Sequence, residues 1–286
     1  MDRIYLDWNA TAPILPEVRQ AMVEALEKLP GNASSVHQEG QRARAVVERA
    51  RRAVARAVGA PGQAVVLTGG ATESNNQVLR SHVARTDDPY VVCSAVEHPS
   101  VLEVVERLDG EGVAVEVSPV DSQGRLQMEP LDALLEDGAT LVSVMWANNE
   151  IGNVYPIEEI AERVHDHEAL LHVDATQALG RRPVDFEASG ADVMTLSFHK
   201  MGGPKGIGAI VLREGQKVES LLAGGHQERG RRPGTENVPA AAGLEAAAEA
   251  IAQRVDQWEE RLEAKRRLFV ERLEGAVDAF ELRGDP

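Results

Sequence analysis

Short apolar runs alternate with amphipathic segments along most of this chain, and the alternation predicts strands separated by helices. Residues 16–29 and 38–58 show the spacing of apolar positions that is typical of helices. Further helices are expected to open near Thr72, Pro99 and Pro156. The continuous apolar runs that predict buried strands are 64–68, 90–93, 113–117, 141–146, 170–174, 193–197 and 207–212. Val- and Leu-rich runs bounded by helices are typical of a mainly parallel sheet covered on both faces, so the pattern predicts an α/β fold.

The last part of the chain has a different pattern. The run 207–212 follows the preceding strand after a short connection, so it is expected to pair antiparallel. From 237 to about 274 the pattern is almost wholly helical, which predicts a long connecting helix and its partner. Residues 280–286 are expected to begin a strand and a turn. We therefore expect the sequence to be truncated at its C-terminus.

Composition narrows the classes of function. The chain has 286 residues, 43% of them apolar, and a formal net charge of −16. That charge argues against nucleic acid or an anionic membrane as the main partner, because both repel an acidic protein. Only five of the 30 basic residues are lysines, which fits either a protein kept soluble in high salt or a genome rich in G and C.

Cysteine content and hydropathy indicate the cellular compartment in which the protein is expected. Cys93 is the single cysteine, so an internal disulfide framework and a Cys-based metal cluster are excluded. The first seven residues lack an apolar secretory core, and no apolar stretch approaches membrane-spanning length. A cytoplasmic protein is expected. Cys93 closes an apolar strand and is expected to be an inert buried thiol rather than a nucleophile.

Two strand-like runs each lead to a residue with reactive chemistry. The run 170–173 ends at Asp174, and the run 193–196 leads through Ser197 and His199 to Lys200. Lys200 and Asp174 are expected to meet on one edge of the parallel sheet. Such a pair suits a pyridoxal cofactor, because the lysine amine can form a Schiff base with the aldehyde and the carboxylate can keep the ring nitrogen protonated.

A second lysine competes for the same role. Lys205 lies in Gly203-Pro204-Lys205-Gly206, where a turn is expected to leave it in solvent. Lys200 is preferred because it closes the strand run and because Ser197 and His199 beside it can donate hydrogen bonds to a phosphate.

A glycine-rich turn between a predicted strand and a predicted helix offers an anion site. In Thr68-Gly69-Gly70-Ala71-Thr72-Glu73-Ser74-Asn75-Asn76 the glycines allow close approach of a phosphate to the backbone, and the helix start favours negative charge. Taken alone, the same residues are more readily explained by Thr72, with Asn75 or Asn76, capping the helix.

Four further polar residues follow predicted strands. Asn148 and Asn149 precede Gly152 and can bond a ring hydroxyl or a substrate, or can simply form a tight turn. Gln177, three residues after Asp174, can reach the same ring edge. His98 stands at the start of a helix just past a strand, where an imidazole can stack on an aromatic cofactor and carry protons.

With these motifs assembled, the chain closely resembles the cysteine desulfurases of the NifS/IscS type, in the class V aminotransferase group. The resemblance begins at Tyr5-Leu6-Asp7-Trp8-Asn9 and runs to the last residues. It includes 31–37, the Gly-Gly-Ala-Thr-Glu-Ser-Asn-Asn turn, Glu97-His98, 148–152, 172–177, 197–200 and 224–237. The segment 224–237 favours the NifS/IscS branch over the SufS branch.

The resemblance implies a fold-type I PLP-dependent transferase with a mainly parallel seven-stranded sheet, helices on both faces and an incomplete small domain. Residues 1–15 would be an N-terminal segment that packs with the small domain. Residues 16–250 would form the large domain that binds pyridoxal 5'-phosphate. Residues 251–286 would be the start of a truncated C-terminal small domain.

The resemblance also assigns roles to residues. Lys200 would hold the cofactor covalently, Asp174 would pair with the pyridinium, and His98 would stack on the ring and assist proton transfer. The remaining contacts implied are Asn149 and Gln177 at the ring hydroxyl, Ala71, Thr72, Ser197 and His199 at the phosphate, and Thr235 at the phosphate of the neighbouring subunit.

The implied reaction converts L-cysteine to L-alanine and passes the sulfur, as a persulfide, to acceptors such as an iron–sulfur scaffold or a tRNA-thiolation protein. A homodimer with shared active sites is implied. The family's nucleophilic cysteine and its carboxylate-binding arginine would lie beyond Pro286, so the sequence is expected to be a fragment. The alternatives are a second polypeptide that supplies the remainder, a related lyase or aminotransferase, and a pyridoxal-binding remnant that has lost the activity.

Overall fold

Within residues 4–285, which this computed structural model describes, seven strands form one sheet and seven α-helices pack around it. The strands are β1 (Val65–Thr68), β2 (Tyr90–Ser94), β3 (Ala114–Ser118), β4 (Leu141–Met145), β5 (Leu170–Asp174), β6 (Val193–Ser197) and β7 (Gly208–Leu212). The helices are α1 (Pro16–Lys28), α2 (Gln38–Ala57), α3 (Ala71–Arg85), α4 (Pro99–Gly110), α5 (Met128–Glu136), α6 (Ile157–Asp166) and α7 (Val238–Glu274). The predicted strands are therefore confirmed to within one or two residues.

The strand order is β1-β7-β6-β5-β4-β2-β3. The pairs β2–β3, β2–β4, β4–β5 and β5–β6 are parallel. Strand β7 runs antiparallel to both of its neighbours, β1 and β6. The expected mainly parallel sheet, with an antiparallel strand after the run that ends near Ser197, is confirmed. The connection from β6 to β7 is too short for a crossover helix, which accounts for the reversal.

The sheet is covered on both faces, as its continuous apolar strands predict. Val91 and Cys93 of β2 pack with Val101 and Val104 of α4 on one face. Val92, between them, belongs to the larger cluster on the other face, which includes residues of α2, α6 and α7. Because successive side chains of a strand point to opposite faces, a strand buried on both sides must be apolar throughout.

Helix α7 corrects one sequence-based expectation. The segment 237–274 was expected to form a long helix and its partner, but it is a single helix of 37 residues. Between Leu244 and Glu274 the sequence has no glycine or proline and is rich in alanine, glutamate and arginine, so nothing interrupts the helix. Its first half packs on α1 and α2, with Leu244 and Ile251 buried, and Leu262, Leu268 and Phe269 in its second half are exposed.

Two other expectations fail. No strand begins at residue 280 within the described residues; Asp285 instead pairs with Arg125, and its backbone N–H donates to Asn153 Oδ1. A strand needs a neighbouring sheet edge, and the contacts made here are with loop residues.

Helix α5 was not predicted, because Pro130 lies in its first turn and the helix has only nine residues. Residues 1–3 and Pro286, which belong to the expected N-terminal segment and small domain, lie outside the described residues.

Candidate active site

The carboxyl edge of the parallel strands opens onto a cavity of about 530 Å³. Nine of the ten residues predicted to contact a cofactor line it: Ala71, Thr72, His98, Asn149, Asp174, Gln177, Ser197, His199 and Lys200. The tenth, Thr235, does not. The loops after five different strands, β1, β2, β4, β5 and β6, meet here, which is where open α/β sheets bind ligands.

Lys200 lies in a short 3₁₀ turn, His199–Met201, directly after β6. Its Nζ donates a 2.7 Å hydrogen bond to the backbone carbonyl of Asn9. Partial burial lowers the pKa of Lys200, and the nearby Arg181 guanidinium lowers it further, while Asp174 acts in the opposite direction. A lowered pKa increases the fraction of the free amine, which is the nucleophilic form. Lys205 also lines the cavity, so the structure places both candidate lysines at its wall.

Asp174 is the last residue of β5 and is buried. In the sheet it lies between Met145 of β4 and Thr195 of β6. Its Oδ1 accepts from the backbone N–H of Thr176 at 2.9 Å, and its Oδ2 accepts from Asn75 Nδ2 at 2.9 Å. Each carboxylate oxygen can accept about two hydrogen bonds, so Asp174 keeps capacity for a donor on the cavity side.

His98 is the N-cap of α4. Its Nδ1 accepts from the backbone N–H of Ser100 at 3.1 Å and lies 2.8 Å from Ser100 Oγ. A ring nitrogen that accepts from a backbone N–H carries no hydrogen, so the neutral imidazole has its hydrogen on Nε2. His98 therefore lines the cavity with Nε2 as its free donor.

The N-terminus of α3 also faces this cavity. Gly70 is its N-cap, with φ 144°, and no side chain caps the first turn. The expected alternative, a cap by Thr72 with Asn75 or Asn76, is therefore wrong: Asn76 donates to the Thr72 carbonyl, and Asn75 is fully buried. The first backbone N–H groups of an uncapped helix are free to bind an anion, and the helix dipole favours it.

The N-terminal segment crosses the mouth of the cavity. Gln177 Nε2 donates to the same Asn9 carbonyl as Lys200, at 3.1 Å. The Asn9 side chain donates to the backbone carbonyl of Asn149 at 3.1 Å and accepts from Arg181 at 3.2 Å. His199 Nδ1 lies 3.1 Å from Thr11 Oγ1. The segment is thereby attached to several of the predicted site residues.

Asn148 and Asn149 differ in role. Asn148 Oδ1 accepts from the backbone N–H groups of Glu150 and Ile151, which makes it the turn former that was one of the two expectations for this pair. The left-handed position of the turn is taken by Gly152, with φ 76°. Asn149 lines the cavity.

Thr235 lies at a separate pocket of about 260 Å³, beside Gly234 and Glu236. It is exposed to solvent. Its segment is held by Glu228, which is buried against Arg51 and accepts from the backbone N–H of Leu67 at 2.9 Å. Thr235 therefore does not contact the cavity of its own chain, which agrees with its expected role at a neighbouring subunit but does not test it.

Two buried acidic groups near the site have shifted pKa values. Burial raises the pKa of the Cys93 thiol to about 12, and the thiol is fully enclosed, so the expectation of an inert cysteine is confirmed. Burial raises the pKa of Glu97 to about 8, against the lowering effect of hydrogen bonds from Ser94 and the Met145 backbone. Glu97 is therefore largely protonated at neutral pH.

Sequence reasoning missed the roles of two residues at the site: Asn75, which was considered only as a helix cap, and Arg181, which was not singled out. Asn75 lies on the buried face of α3 with Val78, Leu79 and His82. An asparagine within such a stripe is a detectable signal, because buried polar groups need partners. Arg181 offers no comparable signal, since its role depends on the path of the N-terminal segment.

A family model described as aminotransferase class-V matches residues 4–285. Cysteine desulfurase 2 of Trichormus variabilis is 41% identical over the whole chain, which covers 72% of that relative. A NifS-like protein of known structure superposes with a TM-score of 0.93 at 34% identity, covering 96% of this chain and 76% of the other. The structure described as SspA in complex with cysteine gives a TM-score of 0.82 at 30% identity, covering 86% and 72%.

The chain spans 62–76% of the length of the curated relatives it matches. Within residues 4–285, no helix is long and apolar enough to cross a membrane. The same residues contain no group of three or more His, Cys, Asp or Glu side chains placed to hold a metal ion.

Proposed function

The chain belongs to the class-V aminotransferase family, whose members depend on pyridoxal phosphate, and its curated relatives are cysteine desulfurases; on that premise we propose that it converts L-cysteine to L-alanine. The sulfur atom leaves the substrate to a thiol, which becomes a persulfide. The resemblance stated from the sequence is confirmed at the level of the family and the fold. The substrate, the products and the partners are the proposal.

One observation carries the proposal. Lys200 and Asp174 follow the adjacent strands β6 and β5, and both line one cavity with the uncapped N-terminus of α3. An amine, a buried carboxylate and a set of free backbone N–H groups are three different chemistries. They match a ligand that carries an aldehyde, a basic ring nitrogen and a phosphate.

The residues present fit pyridoxal phosphate. Gly70 keeps the entrance to α3 open, because no heavy atom lies within 4 Å of where its Cβ would be. Ala71 and Thr72 begin the helix and would hold the phosphate with Ser197 and His199. Asn149 and Gln177 would contact the ring hydroxyl or its neighbourhood. When bound, the cofactor supplies an aldehyde for amines and a ring that withdraws electrons from the substrate.

The side chains of this chain have distinct tasks in the proposed reaction. Lys200 supplies an amine whose lowered pKa leaves more of it free to react. Asp174 keeps negative charge next to a ring nitrogen, which favours the protonated ring. His98 is the proton carrier, because its Nε2 is the ring nitrogen left free at the cavity.

L-cysteine as substrate is supported by the relatives named cysteine desulfurase and by the neighbour whose structure holds cysteine. The receiving thiol is not Cys93, because that side chain is fully buried and its pKa is raised to about 12. A thiolate is the attacking form in sulfur transfer, so a buried neutral thiol is unsuited. The sulfur therefore passes to another thiol, such as one on an iron–sulfur scaffold protein.

We also propose a homodimer in which Thr235 reaches the phosphate of the partner's site. Thr235 is exposed and lies outside its own cavity, and its segment is anchored to the body of the protein by Glu228. A cytoplasmic location and a role in iron–sulfur cluster assembly are parts of the same proposal. Light scattering coupled to size-exclusion chromatography tests the dimer; a monomer at micromolar concentration contradicts it.

Borohydride reduction tests the lysine assignment. The full chain is incubated with pyridoxal phosphate, reduced, digested and mapped by mass spectrometry. We expect one label, on the peptide that contains Lys200, and we expect Lys200→Ala to lose it. Lys205→Ala is the matched control, because Lys205 lines the same cavity and should leave the label in place. A label at Lys205, or none, contradicts the assignment.

Product analysis tests the reaction. With L-cysteine and dithiothreitol as the thiol, the loaded protein should form alanine and sulfide in equal amounts, and Lys200→Ala should form neither. If the label lies on Lys200 but no alanine appears, cofactor binding stands and the proposed reaction is wrong. If pyruvate and ammonia form instead, the protein is a lyase of another kind.

A further inference from the structure

Asn75 is a fully buried asparagine that contacts residues on two sides of the candidate site. Its Nδ2 donates to Asp174 Oδ2 at 2.9 Å and to Ser100 Oγ at 2.9 Å. Ser100 Oγ lies 2.8 Å from His98 Nδ1. One amide group is therefore bonded directly to Asp174 and, through a single hydroxyl, to His98.

The donors and acceptors of this network can be assigned. An ionised carboxylate only accepts, so the amide nitrogen of Asn75 must be the atom that faces Asp174. Ser100 Oγ accepts the second amide hydrogen and gives its own hydrogen to His98 Nδ1. Because Nδ1 accepts from both the hydroxyl and the backbone N–H of Ser100, the imidazole hydrogen is kept on Nε2.

The amide oxygen of Asn75 is also hydrogen-bonded. Its Oδ1 accepts from Thr195 Oγ1 at 2.5 Å, and Thr195 Oγ1 lies 3.2 Å from His172 Nε2. His172 Nδ1 lies 2.8 Å from Ser143 Oγ. Asn75, Ser143, His172 and Thr195 are all fully buried.

The protonation state of His172 determines which atom is the donor in each of these hydrogen bonds. Burial lowers the pKa of His172 to about 4, so the ring is neutral and has one hydrogen. Since Thr195 gives its hydrogen to Asn75, His172 Nε2–H donates to Thr195, and Ser143 donates to Nδ1. From Ser143 through His172 and Thr195, each hydrogen bond is therefore donated in the direction of Asn75. Hydrogen bonds aligned in this way strengthen one another.

We propose that Asn75 is a positioning residue that holds the Asp174 carboxylate in place and orients the Ser100 hydroxyl, which gives His98 Nδ1 the second of its two hydrogen bonds. The consequence for catalysis rests on the proposed function, because it concerns the two residues used there as ring partner and proton carrier. The network itself exists without any ligand. It can therefore be tested apart from activity.

The chemistry of the position argues against a packing role alone. Asn75 occupies the buried stripe of α3 with Val78 and Leu79, where an aliphatic side chain would fill the space. A buried amide is stabilising only when its donors and its acceptor are bonded, and removing one partner leaves a desolvated polar group. Here both hydrogens and the oxygen are bonded.

Histidine-ring ¹⁵N spectra of the full chain without added cofactor test the network directly. A His98→Gln variant assigns the His98 signals. For the neutral ring in the parent we expect the pattern with hydrogen on Nε2. In Asn75→Ala, Ser100 Oγ loses the donor that orients it, while the Ser100 backbone N–H still bonds Nδ1, so we expect the Nδ1 signal of His98 to shift as its bond to the hydroxyl weakens, with the hydrogen still on Nε2. Asn76→Ala is the matched control, since Asn76 bonds only the carbonyl of its own helix turn, and it should match the parent.

Cofactor binding supplies the second readout. Loss of one hydrogen bond to the carboxylate should weaken binding of pyridoxal phosphate by about tenfold in Asn75→Ala, the size expected when a charged group loses a donor. Ser100→Ala should change the His98 signals but leave binding within about twofold of the parent, because Asp174 keeps its own bonds. Asn76→Ala should change neither.

The outcomes separate the two proposals. If Asn75→Ala keeps both the parent Nδ1 signal of His98 and the parent affinity, the positioning role is wrong, whatever the activity. If the parent fails to bind pyridoxal phosphate, the proposed function is wrong, and the spectra still decide the network. Should Asn75→Ala not fold, the variants Thr195→Val and Ser100→Ala test the positioning role, since each breaks the hydrogen-bond network on one side of Asn75. Unchanged His98 signals in both variants overturn the inference.

Discussion

Lys200 Nζ donates its hydrogen bond to the backbone carbonyl of Asn9, a residue 191 positions earlier in the chain. The same carbonyl accepts from Gln177, and the Asn9 side chain accepts from Arg181. The N-terminal segment is thus attached to the site by three side chains, those of Gln177, Arg181 and Lys200. This hydrogen bond fixes the position of the Lys200 amine relative to Asn9, so the position of Asn9 bears on how readily Lys200 is modified.

Arg181→Met should raise the pKa of Lys200. After burial, the Arg181 guanidinium is the next largest factor that lowers this pKa, and removing a positive charge makes protonation of the amine easier. The free-amine fraction at neutral pH should therefore fall, and the pH profile for attachment of pyridoxal phosphate should move to higher pH. The rate of attachment, followed by absorbance between pH 6 and pH 10, measures the shift.

Arg80→Gln is the control for this change. Arg80 forms an ion pair with Glu111 at the protein surface and is not among the groups that affect Lys200. Its profile should coincide with that of the parent. A profile of Arg181→Met that moves to lower pH, or does not move, contradicts the role of Arg181.

Asp174→Asn should leave the covalent label on Lys200 but slow the reaction with L-cysteine by roughly 10²–10³-fold, the usual cost of removing one preorganised electrostatic partner. The amide keeps the shape of the side chain and can still accept from Thr176. It cannot hold a positive charge on a ring nitrogen. The rate of alanine formation at saturating cofactor gives the measurement, and a rate within tenfold of the parent is incompatible with the assigned role.

Glu97→Gln should become more stable relative to the parent as pH rises. Burial raises the pKa of Glu97 in the folded protein to about 8, from an ordinary value of 4.5. Between these values the unfolded chain loses a proton that the folded chain keeps, so the parent's stability falls with rising pH across that window and levels off above it. Each pKa unit corresponds to about 1.4 kcal/mol, so the upper limit is a few kcal/mol.

Glutamine suits this test because Glu97 Oε1 accepts from Ser94 Oγ and from the Met145 backbone, while Oε2 has no partner. The amide oxygen can keep both bonds. Urea unfolding at pH 5, 7 and 8.5 measures the difference, with Glu103→Gln, an exposed position on helix α4, as control. A difference between Glu97→Gln and the parent that does not change with pH shows that Glu97 titrates normally.

Arg51→Met should destabilise the protein by about 3–5 kcal/mol, because it leaves the buried Glu228 carboxylate without its partner. The double variant Arg51→Met/Glu228→Leu should recover part of this loss, since no unpaired charge remains. Glu228 adopts a left-handed backbone, with φ 49°, in the segment that leads to Thr235. Urea unfolding of the parent and the variants measures the coupling; additive effects of the two substitutions would show that the pair is not coupled.

Much of this fold was predictable because its strands are buried on both faces and its helices have clear apolar stripes. Lys200 and Asp174 were predictable as neighbours because the carboxyl ends of parallel strands share an edge. Asn9 and Arg181 were not, since their contact depends on the path of an N-terminal segment without periodic pattern. Asn75 was visible in the glycine-rich motif but was interpreted as a helix cap, because local capping and a buried network use the same residue type.

Gly208→Ala should disturb the N-terminus of α3, where the phosphate is proposed to bind, although Gly208 does not line the cavity. A Cβ at Gly208 would lie 2.6 Å from the Leu196 carbonyl oxygen and 2.7 Å from Gly70 Cα, and neither backbone atom can move alone. Strand β7 must then shift away from the turn that opens α3. We expect a loss of about 1–3 kcal/mol in the free energy of unfolding, the usual cost of overpacking, together with weaker binding of pyridoxal phosphate. Gly110→Ala, where a Cβ meets nothing within 4 Å, should change neither quantity by a comparable amount. If Gly208→Ala binds the cofactor as tightly as Gly110→Ala, the close contact between Gly208 and Gly70 does not control the geometry of the site.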